Sequence, residues 1–230
     1  MTDDLVRWVP VTLQIQVRTT CVVGTEPRDS HDVDVTTVVD ENGLPFIPKN
    51  RMSARLRDAA LTVLGGPPEP VLSTDTALAL FGGAYTTEAS RRGLHVGAAV
   101  WPRQAQASVV RSLRSKSGRY PGAGRLFRQR ITEALTVEIA QTAIGADGVA
   151  LPGSLRFARG IRPGVVLEAP LRWSIEPTSA HVGFLARCVL ALTQIGEGRS
   201  DNLGRVVCSL DGDFGRTRDL AYPVGAVEAL

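Results

Sequence analysis

An α+β fold built on an antiparallel sheet is predicted by three observations: a period-two alternation near the start of the chain, two apolar segments of helical period, and β-branched runs that follow each of them. The order of patterns is strand, helix, strand, polar insertion, strands, helix, strand. That order lets two helices cover one face of a single sheet.

The first strand lies in residues 9–23, where Val11, Leu13, Ile15 and Val17 alternate with Thr12, Gln14, Gln16 and Arg18, so one face is apolar and the other polar. A polar loop follows at 25–32. Residues 33–39 are β-branched apart from Asp34, and Asp40-Glu41-Asn42-Gly43 supplies turn chemistry. In residues 43–57 two prolines hold their predecessors extended before a helical pattern that carries Arg51, Arg55 and Arg57. Met52, Leu56, Ala59, Ala60, Val63 and Leu64 recur at helical spacing over 50–64, and Gly65-Gly66-Pro67-Pro68 ends the helix. Residues 74–81 form a second short helix. Leu94, Val96, Ala98 and Val100 alternate as another strand.

Residues 102–130 differ in character, with apolar content low and eight cations (Arg103, Arg111, Arg114, Lys116, Arg119, Arg125, Arg128 and Arg130) without one acid. Net charge is only +3 over 230 residues, so the distribution of charge, not its total, points to a polyanion. Tyr120 and Phe127 in the same stretch can stack on bases. A disordered basic insertion is the alternative. Beyond it, 131–144, 155–157 and 165–175 read as strands, 182–195 as a helix packed through Phe184, Leu185, Cys188, Val189 and Leu192, and 206–210 as a closing strand. The whole order fits a ferredoxin-like sandwich split by a basic insertion.

Several chemistries are excluded or left open. Cys21, Cys188 and Cys208 are scattered and odd in number, which argues against a disulfide framework or a zinc site. No stretch has the roughly 18 to 20 apolar residues of a membrane span, and the acidic start lacks a targeting pattern, so a cytoplasmic protein without a membrane partner is expected. The glycine-rich segment 196–205 lacks the Gly-Lys-Ser/Thr of a phosphate loop and precedes a strand. Its glycines let backbone approach a ligand closely, with Gly198, Arg199, Ser200, Asn202 and Arg205 positioned as contacts to a phosphodiester; a helix stop followed by a bend is the structural alternative. The start of the basic helix, with Lys49, Asn50, Arg51, Arg55 and Arg57, suits phosphate because first-turn amides lack helical partners, although the arginines of a merely solvated helix would read the same way. Asp29, Asp32, Asp34 and Asp40 cluster around His31 without a calcium-loop spacing. His95 and His181 form no triad or metal pattern with it.

Three features in order resemble the RAMP superfamily of CRISPR effector proteins: Gly43-Leu44-Pro45-Phe46-Ile47-Pro48 leading into a basic helix, Phe81-Gly82-Gly83 leading to a strand, and the glycine segment running from Gly196 into Val206. The resemblance spans roughly residues 9–210. Within it, residues 34–45 resemble the repeated backbone subunit of type III effector complexes. This implies an RRM-like palm, about 9–101 and 155–215, with a basic thumb hairpin inserted at about 102–150, all in one domain of 1–230. It implies guide RNA and complementary target RNA as partners, together with copies of the same chain and other CRISPR effector subunits. Lys49, Asn50, Arg51, Arg55 and Arg57, the insertion's Arg111, Arg114, Lys116, Arg119, Arg125 and Arg128, and the glycine segment would contact RNA.

In that subunit an aspartate shortly before Gly-Leu-Pro is required for metal-dependent target cleavage, and Asp34 matches it, with a divalent cation, Mg²⁺ first, as cofactor. The chain departs from the usual Pro-Gly-Ser-Ser-Leu-Lys-Gly, reading Pro48-Lys49-Asn50-Arg51-Met52-Ser53-Ala54, so the lysine of the motif falls on Ser53 and its first glycine on Lys49. Residues 139–161 resemble other RAMP branches, which leaves a non-cleaving subunit that only binds or caps guide RNA as an alternative. Outside RNA biology, an α+β domain whose insertion docks an acidic protein is a third reading.

Overall fold

Alternation along the first strand decides the layout of the core. In the computed structural model, which describes residues 8–25, 35–66, 74–82, 92–117, 122–143, 145–146, 148–197 and 202–223, strand β1 (Thr12–Val17) buries Leu13, Ile15 and Val17 completely and leaves Thr12, Gln14 and Gln16 partly exposed. Its neighbours are β7 (Val166–Trp173) on one side and β8 (Val206–Leu210) on the other, and β4 (Leu94–Val96) closes the sheet beside β7. Every adjacent pair is antiparallel, with Ile15 opposite Leu167 and Cys208.

Helix α1 (Lys49–Leu64) buries Met52, Leu56, Ala59 and Ala60, a stripe at i, i+4, i+7 and i+8 that faces the sheet. Helix α5 (Ser179–Ala191) lies beside it and buries Phe184, Leu185, Cys188 and Val189. Each of these larger apolar side chains stabilises the fold by about 1.5 to 3 kcal/mol through burial. The chain order β1, α1, β4, β7, α5, β8, with β7 between β4 and β1, is the split β-α-β arrangement of a ferredoxin-like fold, as the sequence pattern predicts. Helix α2 (Thr74–Phe81) also forms where expected, and its Phe81 packs at a tilt on Phe184, ring centroids 6.5 Å apart.

Four features differ from the sequence reading. Strands β2 (Gly24–Thr25), β3 (Val35–Thr37), β5 (Thr136–Gln141) and β6 (Arg156–Ile161) make a second sheet in the order β2-β3-β6-β5, with β3 and β6 parallel. β6 and β7 follow each other in the chain, yet they enter different sheets; hydrophobic periodicity reports a strand but not its partner.

The basic stretch is helical: α3 (Arg103–Ser117) and α4 (Ala123–Leu135) pack on each other, and α4 continues to Leu135 where a strand over 131–144 was expected. Arg, Gln, Ala and Leu are strong helix formers, and here propensity outweighs the β-branched Ile131 and Thr132. The helix expected over 182–195 begins at Ser179, because Thr178 and His181 form a reciprocal cap: the Thr178 hydroxyl accepts from the His181 amide, and His181 Nδ1 accepts from the Thr178 amide.

Helix α6 (Phe214–Ala221) was not expected. Asp213 caps it by accepting from the Arg216 amide, and the buried Thr217 hydroxyl receives the Leu210 amide, so the helix closes the end of β8.

Candidate nucleic-acid interface

The turn before α1 joins the palm to the basic insertion. Gly43 sits at φ +83°, a conformation that favours glycine, and a Cβ there would lie 2.5 Å from the Arg128 carbonyl oxygen. The Thr132 hydroxyl donates to the Gly43 carbonyl at 2.8 Å, and Trp101 Nε1 donates to the Pro45 carbonyl at 2.9 Å. Both the residue pair leading into α3 and the last turn of α4 are thereby tied to the segment that feeds α1. Asp40 shapes the same turn, its carboxylate accepting from the Asn42 and Leu44 amides.

At the start of α1, Pro48 occupies the cap position, no side chain caps the first-turn amides, and no acid lies in the first turn. Lys49, Asn50 and Arg51 are exposed around these amides, whose partial positive charge favours an anion. Arg51 reaches Glu197 at 3.9 Å across a half-exposed gap, an interaction worth little in water.

Arg55 is different: its side chain is 15% exposed, and it donates to Asp58 at 3.0 Å and to the Gly196 carbonyl at 3.2 Å. Arg57 donates to the Phe81 carbonyl at 3.3 Å, and burial together with the neighbouring charge of Arg92 holds its guanidinium below its ordinary pKa. Arg55 and Arg57 therefore anchor α1 to the glycine segment and to the end of α2. Lys49, Asn50 and Arg51 are the residues that α1 exposes at its start.

On the insertion, Arg111 and Arg114 of α3 and Arg125 and Arg128 of α4 are exposed, each pair three residues apart on one helix face. Among the described residues of the insertion, Glu133 lies 3.9 Å from Arg130 and accepts from Gln129 Nε2 at 2.9 Å. Lys116 lies in the last turn of α3.

The glycine segment begins against α1, where Val22, Val23, Gly24, Arg51, Arg55, Gly196 and Glu197 line one small pocket. It ends in β8, with Asn202 at φ 60° and Gly204 at φ 67°, and a Cβ on Gly204 would lie 1.9 Å from the Ile195 carbonyl oxygen. Asn202 and Arg205 are exposed. Asp34, Arg119, Gly198, Arg199 and Ser200, like His31, Asp29 and Asp32, lie outside the described residues.

Among the described residues no group of three His, Cys, Asp or Glu side chains could hold a metal ion, and no helix is long and apolar enough to cross a membrane. Cys21, Cys188 and Cys208 are buried, and burial pushes each thiol up to about 12, so none is a ready nucleophile. His181 is committed to its helix cap. One cation with no assigned role from sequence alone, Arg18, stands beside Arg205; the alternation along β1 had already placed it on the polar face with Gln14 and Gln16.

The molecule thus defines a class: a ferredoxin-like palm carrying a basic two-helix insertion, with cations displayed at the start of α1, on the insertion and at the end of the glycine segment. No protein-family model matches the chain, and no curated protein is similar to it in sequence. Solved structures are similar in fold. A chain of the Type III-B Cmr-beta complex in its apo state superposes with a TM-score of 0.60 at 13% identity, covering 89% of this chain and 98% of that one. A chain of the Type III-B Cmr-beta bound to cognate target RNA superposes with a TM-score of 0.61 at 11% identity, covering 93% of this chain and 99% of that one. This chain shares the fold of those two structures.

Proposed function

We propose that this protein is a guide-RNA-binding backbone subunit of a type III-like CRISPR effector complex, a cytoplasmic ribonucleoprotein assembled from copies of this chain, other effector subunits and guide RNA. The observation that carries the reading is the fold shared over 93% of the chain with a subunit of a complex bound to cognate target RNA. The exposed cations support it: Lys49 and Arg51 lie on α1, Arg111 and Arg114 on α3, and Arg125 and Arg128 on α4, which is joined to the segment feeding α1 through the Gly43 turn. Guanidinium and ammonium groups on such surfaces bind phosphates without reading bases, and base pairing with the guide supplies sequence selectivity.

Cleavage of the target is the finer part of the proposal. Asp34 is its candidate catalytic residue, with a divalent cation, Mg²⁺ first. A cation of this kind is commonly held by one or two carboxylates together with substrate phosphates, so it does not require a cluster of protein ligands, and when bound it stabilises charge developing on a phosphoryl oxygen.

The test uses the assembled complex. Purified with its own guide, it should cut labelled complementary RNA in Mg²⁺, and Asp34→Ala should abolish the cut while leaving assembly and target binding unchanged. Intact target from the parent complex identifies a subunit that binds RNA without cutting. Purification of the protein from its host without any nucleic acid overturns the reading.

A further inference from the structure

We propose that the open end of the palm sheet, where Arg18 and Arg205 face each other across β1 and β8, is a phosphate-binding groove for single-stranded RNA; this deepens the function proposed above and rests on it. The register places the two residues together. Val17 pairs with Val206, and one step further the Arg18 amide donates to the Arg205 carbonyl at 2.7 Å. Val17 and Val206 point into the core, so their neighbours Arg18 and Arg205 lie on the opposite face of the sheet with Gln16 and Val207. Both arginines are exposed.

Like charges directly opposite each other on paired strands repel and destabilise the sheet. Among the described residues neither arginine has an ion-pair partner; the salt bridges there use Arg51, Arg55, Arg130, Arg159 and Arg218. Glu168, a carboxylate on the same sheet face, is level with Gln14, four residues along β1 from Arg18 and so about 13 Å away. Among the described residues the pair therefore holds a double positive charge with no acid paired to it.

The surroundings are shaped for a chain rather than a closed ligand. Arg18, Thr193, Gln194, Arg205, Val206 and Val207 line an open groove of about 540 Å³. Two guanidiniums offer forked donors that match phosphate oxygens, Thr193 adds an exposed hydroxyl, and Val207 gives apolar surface for a ribose or base. The backbone beneath is rigid: the Arg205 amide donates to the Thr19 hydroxyl at 2.9 Å, and Gly204 is packed against Ile195. The ordered main chain beneath the two guanidiniums limits the backbone entropy lost on binding.

The test is the affinity of the full chain for a labelled single-stranded RNA, measured by fluorescence anisotropy over a range of salt. Arg18→Ala and Arg205→Ala should each weaken binding about three- to tenfold at low salt and lower the slope of log affinity against log salt by about 0.7, the share of one phosphate contact. Arg18→Lys should recover part of the loss, and Arg218→Ala, at an exposed arginine paired with Asp219 on α6, should change neither quantity. Thermal melting of each variant at the parent temperature separates lost contact from lost fold.

Unchanged affinity and slope in Arg18→Ala, with loss when α3 and α4 arginines are replaced, overturns the groove and leaves the RNA-binding reading standing. A parent chain that binds no RNA at low salt overturns both. Displacement of the RNA by poly-glutamate at equal charge concentration overturns the groove in favour of an acidic protein surface.

Discussion

Helix α1 and the helical hairpin α3–α4 are both rich in arginine, yet they use it differently. On α1, Arg55 and Arg57 turn inward and bond carbonyl oxygens of Gly196 and Phe81, so the charge helps hold the glycine segment and α2 against the palm. On α3 and α4, Arg111, Arg114, Arg125 and Arg128 remain in solvent, and α4 buries none of its residues. The difference follows from what lies underneath. α1 has a continuous apolar stripe packed on the sheet, which brings its flanking arginines near neighbouring backbone. α3 buries Leu113, and α4, packed on α3 and tied to the Gly43 turn, buries none of its residues, so their cations meet water. Identical side chains thus act as fasteners on one element and stand as solvent-exposed charge on the other.

The sharpest way to break this contrast is to damage the two elements separately. Leu56→Ala removes a completely buried side chain from α1 and should lower unfolding free energy by about 2 to 5 kcal/mol in urea titrations. Stability unchanged by that substitution would mean that α1 does not anchor the palm. Replacing Arg111, Arg114, Arg125 and Arg128 together by Ala should leave the urea midpoint close to the parent value, while affinity for single-stranded RNA at low salt falls about a hundredfold or more and the salt slope drops by up to about 3. A large stability loss with intact RNA binding would reverse the roles assigned to the two elements. The smallest effect is expected at Arg130, 3.9 Å from Glu133 with its side chain 82% exposed. Arg130→Ala should shift stability by less than about 0.5 kcal/mol, since such surface pairs contribute little.

Much of the palm was legible because its signals are local. Alternation at Leu13, Ile15 and Val17 marked a strand and its buried face, and the spacing of Met52, Leu56, Ala59 and Ala60 marked a helix and its stripe. The helical nature of the insertion was less legible, since a stretch with little apolar content carries little periodicity. Helix α6 was missed because its cue, the capping Asp213 and the buried Thr217, lies in polar residues whose role depends on the end of β8.

The candidate site divides the same way. Which residues are cations, and that they crowd into an acid-free stretch, follows from composition alone. Which of them are available was decided by the fold, because pairing and burial join residues far apart in the chain. Tertiary contacts withdrew Arg55 and Arg57 into structural bonds and set Arg18 opposite Arg205 on the open face of the sheet. Periodicity assigns a side chain to a face; only strand register and helix packing determine what that face meets.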